Sequence, residues 1–233
     1  MRGDTRLDGS GRRWAGIAAV VAGTVVALPL VLTLLYAVVP PPASTLMILR
    51  LVQGYGLNRE WVAYDDISPH LVAAVVASED ARFCSHRGVD WQEVERALDS
   101  DGRPRGASTI TMQLAKNLFL WPGRSYVRKG LELPLAYWLD LVLSKRRLME
   151  IYLNIVEWAP GVYGAEAASR HHFGKSAADL SRREAALLAA ALPNPLERTA
   201  GRPGPVTRRA AARIERRMRG IGPYLDCLKQ TSA

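Results

Sequence analysis

The sequence predicts a mainly α-helical domain of roughly 170 residues set behind one N-terminal membrane-spanning helix. Three observations predict it. Between Trp14 and Leu49 no residue is charged, and within that run Ala15–Val39 is continuously apolar. The chain beyond it carries repeated pairs of a Ser or Asp cap and an apolar run at helical spacing, with few strand signals. The 233 residues are 48% hydrophobic and 23% charged, which is a globular composition with room for one domain and an appendage.

The apolar run comes first. As a helix, Ala15–Val39 would measure about 37 Å, enough to cross a hydrocarbon core of about 30 Å with some tilt. Pro29 lies inside it, which membrane helices tolerate. A cleaved signal peptide would have a shorter apolar region ending at a small-x-small site, whereas this one runs into Pro40-Pro41-Pro42. Arg2, Arg6, Arg12 and Arg13 precede the span and Arg50 is the next cation, so the positive-inside rule puts the N-terminus in the cytoplasm and the domain outside. The net charge of +9 then points to membrane phosphates rather than to nucleic acid.

Helix starts follow in order along the domain. Ser68-Pro69 opens a helix over Leu71–Ala77, and Asp90 with Glu93 has capping-box spacing before Trp91–Leu98. Ser108 is placed to cap the next helix, Ser125 one reaching to about Leu143, and Ser144 one over Lys145–Ile155. Ser181 and Glu184 form a full capping box before Ala185–Leu192, which Pro193 ends. In Val206–Gly220, the residues Val206, Ala210, Ile214 and Met218 recur among six arginines; the stretch reads as a solvated surface helix or as a face against anionic lipid. These signals divide the chain into a cytoplasmic tail (1–13), a span (14–39), a linker (40–54), a catalytic-size domain (55–222) and a tail (223–233).

Four segments could carry chemistry. In Glu79-Asp80-Ala81-Arg82-Phe83-Cys84-Ser85-His86-Arg87-Gly88, the first carboxylate lies at a helix C-terminus. There the helix dipole and Asp80 both favour its protonated form and suit it to proton transfer. Alone, such a pair is ordinary solvated surface. In Gly106–Asn117, the residues Gln113, Lys116 and Asn117 share a helix face, and free N–H groups with Lys116 could hold a phosphate. The tetrad Leu118–Trp121 after it is either core or a lip that dips into a bilayer. In Arg124–Glu132, Arg128 and Glu132 could be a plain i,i+4 ion pair or, with Arg124 and Lys129, the edge of an anion site; Pro134 is expected to kink that helix. In Lys145–Asn154, Leu148, Ile151 and Tyr152 should face the core.

In this order, the four segments resemble the motifs of the peptidoglycan glycosyltransferases, glycosyltransferase family 51: EDxxFxxHxG, G(A/G)ST(I/L)(T/S)xQ(L/V)xKN, RKxxE and KxxxxExYLN. The resemblance runs from about Tyr55 to Pro195, through Gly161–Ala168, Phe173-Gly174-Lys175 and Leu187–Pro195. It implies a lysozyme-like helical fold with a small membrane-associated jaw. It also implies the polymerisation of lipid II into β-1,4-linked glycan with release of undecaprenyl diphosphate. Carried onto this sequence, Glu79 is the general base and Glu132 the second carboxylate. Lys116, Arg124, Arg128 and Lys129 bind the diphosphate, and a Mg²⁺ ion is allowed beside it. Asp80, Ser108, Thr109, Gln113 and Asn117 shape the site, while Phe83 and His86 hold the Glu79 loop. The partners implied are lipid-linked glycan, membrane lipids and other cell-wall synthesis or division proteins, at a bacterial inner membrane. The SxxK and KTG motifs of the penicillin-binding relatives are not found, so no transpeptidase activity is expected.

Two departures stand out. The family commonly has paired glutamines where this chain has Met112-Gln113, and Pro134 is unusual beside Glu132. Cys84 reads as an unpaired packing residue, with a bond to Cys227 open to it outside the cytoplasm. Two other readings remain at this point: a lysozyme-like hydrolase with Glu79 as general acid, and an anchored non-enzymatic scaffold.

Overall fold

The structure, a computed structural model, describes residues 9–99, 106–123 and 125–229. Helix α1 (Gly9–Tyr36) covers most of the span expected over 14–39 and stops three residues before its end; its segment Arg13–Tyr36 is long and apolar enough to cross a membrane. Its apolar side chains are exposed along most of its length, as lipid-facing ones would be. Only its last turns are covered. Thr33 and Tyr36 are buried, and the Tyr36 ring stacks on Phe119 at 6.4 Å between centroids.

The segment expected as a linker is partly ordered. Ser44 caps α2 (Thr45–Val52) by accepting the Met47 N–H at 3.2 Å, and the Met47 side chain is buried. The triproline before it is held by Arg59, whose guanidinium donates to the carbonyls of Pro41 and Pro42, both at 2.7 Å, and of Asn154 at 3.2 Å. Pro-rich sequence hid this order because the contacts that create it come from distant residues.

The core is a helical stack. Helix α3 (Pro69–Glu79) buries Leu71, Val72, Val75 and Val76 against α9 (Arg182–Ala191), whose alanines allow close approach. Helix α10 (Pro205–Met218) covers both. Its buried stripe is Thr207, Ala211, Ile214 and Met218, while Val206 is 58% exposed. The sequence stripe missed the first two positions because steps of four overshoot a turn of 3.6 residues. The arginines of α10 lie on its outer face and beside the cleft described below.

A second group of helices packs together beside them: α5 (Ile110–Phe119) lies against both α6 (Tyr126–Val142) and α7 (Lys145–Ile155), α8 (Ala165–Phe173) lies against α7 and the short strands described below, and α4 (Trp91–Leu98) follows the turn after α3. The Ser125, Ser144 and Ser181 caps form as predicted, the last as a complete capping box. At Asp90 only half the box forms: its carboxylate accepts the Gln92 and Glu93 N–H groups, while the Glu93 side chain pairs with Arg96. Helix α6 is continuous through Pro134, so Glu132 keeps its helical position. Three very short strands make a sheet in the order β1 (Asn58–Arg59), β3 (Val162–Tyr163), β2 (Glu157–Ala159). Strands of two and three residues are too short to show alternation in sequence.

The expectation that Cys84 is unpaired is overturned. Cys84 and Cys227 form a disulfide across 143 residues, Cα–Cα 5.6 Å, which joins the turn after Glu79 to a 3-10 turn over Gly222–Leu228. The segment from 223 is therefore no free tail up to Leu228, itself buried. No local signal links residues so far apart. A loop of this length makes the bond worth about 3–5 kcal/mol by restricting the unfolded chain. A reducing agent, or the double replacement Cys84→Ser with Cys227→Ser, should lower the melting temperature by about 10 °C or more. An unchanged melt by circular dichroism would show that the bond does not hold the fold.

Candidate active site

Glu79 is the last residue of α3. The chain leaves the helix at Asp80, whose carboxylate is held on both sides: His86 Nε2 lies 3.0 Å from each of its oxygens, and the Ile110 N–H donates to Oδ2 at 3.0 Å. One buried carboxylate thus fastens the Glu79 loop to the start of α5. Phe83, fully buried under the Lys145 ammonium at 4.6 Å, and His86, whose carbonyl accepts from Lys145 Nζ at 2.7 Å, lock the same loop. Gly88 has φ +79° and lies so close to α6 that a Cβ would stand 2.5 Å from the Ala136 carbonyl oxygen, so the last glycine of the motif seats the loop on that helix.

Thr109, not Ser108, caps α5. Its hydroxyl accepts the Met112 N–H at 3.1 Å and donates to the Gly88 carbonyl at 2.5 Å. Ser108, one residue earlier, instead accepts a hydrogen bond from Lys129 Nζ at 2.5 Å and lines the cleft. From α5, Gln113 Nε2 donates to Glu79 Oε2 at 3.0 Å while its Oε1 accepts from the Tyr152 hydroxyl at 3.0 Å. Because the Tyr152 hydroxyl occupies the carbonyl end, the amide presents N–H to the carboxylate. Met112 points elsewhere, into a small apolar cluster with Val89 and Ala136. The glutamine missing from the usual pair is therefore not missing from around Glu79.

Burial raises the Glu79 pKa above the usual carboxylate value, and nearby Asp80 adds a smaller push; Gln113, Ser78 and Lys116 pull the other way. The direction is the one expected from sequence, but the principal cause is loss of solvent rather than the neighbouring charge.

One turn beyond Gln113, Lys116 faces a second charged group carried by α6. Glu132, 2% exposed, pairs with Arg128 and with Lys129 Nζ at 2.9 Å. The i,i+4 pair read from sequence is thus real, but it is buried and has a third member. Arg128 Nε also donates to the Gly123 carbonyl at 3.0 Å. Burial, with Arg128 next, lowers the Lys116 pKa; the same causes, in the same order, bring Lys129 down to about 8. Arg124 lies outside the described residues. Asn117 is buried and lines the pocket beside Lys116.

Glu79 and Gln113, hydrogen-bonded to each other, line two different hollows. A cleft of about 1230 Å³ holds Glu79 and Ser108, and a pocket of about 220 Å³ holds Lys116, Asn117 and Arg128. Of the tetrad Leu118–Trp121, which begins in the last turn of α5, Leu118 and Leu120 are buried and Trp121 is exposed, so it is mostly core rather than a lip. Among the described residues no three His, Cys, Asp or Glu side chains form a metal-binding group. Both oxygens of Glu132 face cations, so the described residues make no cage for the Mg²⁺ that the resemblance allows.

Sequence reading missed two contributions. Tyr152 was expected only as core, although a buried tyrosine hydroxyl needs a partner and so signals a polar contact. Arg217 and Tyr224, which line the larger cleft from the C-terminal segment, carry no signal that separates them from their neighbours.

The profile of the Transglycosylase family matches residues 47–219. The chain is 61% identical over 191 residues to the biosynthetic peptidoglycan transglycosylase of Rhizobium meliloti (strain 1021), covering 80% of each chain. It is 57% identical over 206 residues to that of Rhodospirillum centenum (strain ATCC 51521 / SW), covering 87% of this chain and 89% of that one. With the protein of the same description from Rhizobium johnstonii (strain DSM 114642 / LMG 32736 / 3841) it shares 52% over 227 residues, 93% of both. A match over most of the domain, and identities this high along whole chains, show that the chain belongs to the transglycosylase family.

Proposed function

We propose that this chain is a membrane-anchored peptidoglycan glycosyltransferase that polymerises lipid II into β-1,4-linked glycan. Glu79 takes the proton of the acceptor 4-hydroxyl as that oxygen attacks the anomeric carbon of the donor. The anomeric C–O bond to the diphosphate breaks, and undecaprenyl diphosphate leaves with the bonding electrons. Lys116, Arg128 and Lys129, with Arg124, neutralise the charge that develops on the leaving group. Glu132 fixes Arg128 and Lys129 in position. Gln113 orients the Glu79 carboxylate and keeps one of its oxygens for the substrate proton.

The observation that carries this reading is that one turn of α5, Gln113 to Lys116, joins a carboxylate of raised pKa to a cluster of cations, Lys116 beside the Arg128–Lys129–Glu132 group. A glycan hydrolase has no diphosphate to bind and no use for those cations. The arginines before the apolar span, and a disulfide suited to an oxidising compartment, support a cytoplasmic N-terminus and an extracytoplasmic domain at a bacterial inner membrane. Labelled lipid II incubated with the full-length protein in detergent should become long glycan that lysozyme digests. Lipid II left untouched in detergent and in vesicles, with and without Mg²⁺, would overturn the proposal.

Two of the shifted groups, Glu79 and Lys129, give opposite limbs of a pH profile. Glu79 must be ionised, so the rate climbs as pH passes its raised pKa. Lys129 must be charged, so the rate falls as pH passes about 8. Lys129→Arg, which stays protonated, should move the alkaline limb up by at least one pH unit. An alkaline limb unmoved in that variant would place the second ionisation elsewhere.

A further inference from the structure

The larger cleft holds more charge than proton transfer requires, and nearly all of it is paired. Asp80 is engaged by His86. Arg82 pairs with Asp90 at 3.3 Å and with Gln92, and Arg96 pairs with Glu93. Among the described residues, two charged groups on the wall are left: Glu79, whose task is the acceptor proton, and Arg217 from the last turn of α10. The Arg217 guanidinium has no hydrogen-bond or ion-pair partner among the described residues, and Tyr224 lies on the same wall. That wall does not hang freely. The Cys84–Cys227 bond fastens its 3-10 turn to the turn that follows Glu79, so Arg217 and the carboxylate are held by one cross-linked unit.

Resting on the proposed function, we infer that Arg217 is a substrate-binding residue that takes a carboxylate of the peptide carried by the incoming glycan unit. A peptide-bearing glycan has at least one carboxylate, at the peptide's end. The planar guanidinium matches a carboxylate in bidentate geometry. The diphosphate has its own cations: Lys116 and Arg128 line the other hollow, which leaves the cation on this wall for a group carried by the acceptor. Arg217 is exposed and supports no neighbour, so its replacement leaves folding intact.

The test compares lipid II with lipid II whose peptide carboxylates are amidated, both retaining the diphosphate. Full-length wild type and Arg217→Ala are assayed for KM on each, with Arg217→Lys as the conservative variant. Wild type should prefer the acidic substrate by about tenfold in KM, the size of one charge-assisted pair. Arg217→Ala should erase that preference by raising KM for the acidic substrate, and Arg217→Lys should restore part of it. A preference unchanged in Arg217→Ala would overturn the inference. An equal rise in KM on both substrates would also overturn it and assign Arg217 to the diphosphate. Wild type inactive on both substrates would instead sink the proposed function, and this inference with it.

Discussion

Glu79→Gln should lower the maximal rate of glycan polymerisation by about 10³-fold, the range of a lost general base. The amide keeps the size of the side chain but cannot accept the acceptor proton. The effect belongs in kcat, because the wild-type carboxylate meets the acceptor only through the proton that moves in the transition state. Folding should not suffer. A partly desolvated charge is removed, and burial already favours the neutral form of Glu79, so the melting temperature should hold or rise slightly. Turnover within threefold of wild type, measured with saturating labelled lipid II, would remove Glu79 from the base role. A large loss of rate accompanied by a collapse in melting temperature would show a structural role instead.

Glu132→Ala should be the most destabilising single change in the site. The carboxylate is buried and holds Arg128 and Lys129, and its loss leaves two neighbouring cations facing each other and Lys116 without a counter-charge. Removing one partner from a buried charge group costs about 3–5 kcal/mol, a large share of a domain's stability. Polymerisation should fall with it, since the cations lose their alignment towards the leaving group. Glu132→Gln keeps hydrogen-bond acceptance and should lie between the two. Urea unfolding of all three proteins checks this. A loss below 1 kcal/mol in the alanine variant would mean that solvent already screens the group.

Much of this arrangement was legible before any coordinates, and the division has physical causes. Caps at Ser68, Asp90, Ser125, Ser144 and Ser181 are local signals, since a side chain bonds a backbone N–H two or three residues on. Glu79, Gln113, Lys116 and the Arg128–Glu132 group could be picked out because motif spacing places them on helix faces. Where two adjacent residues can both cap, as at Ser108 and Thr109, sequence does not choose. Here the choice follows from Gly88, whose carbonyl takes the threonine hydroxyl. Long-range partners were invisible for the same reason: Arg59 on the triproline, Cys84 on Cys227 and Tyr152 on Gln113 are joined by folding alone. Arg217 was hidden by company, one arginine among six whose special place comes only from the cleft beside it.

The end of α1 has a mechanical consequence. Trp138 Nε1 donates to the Leu30 carbonyl at 3.3 Å and Arg147 Nε to the Tyr36 carbonyl at 2.8 Å, while Arg59 grips the prolines that follow. The membrane helix is therefore a strut and not a tether. On the anchored, polymerising function proposed above, it holds the cleft at one height from the bilayer and resists swivelling of the domain, so the growing glycan does the travelling past Glu79 as each bond is made.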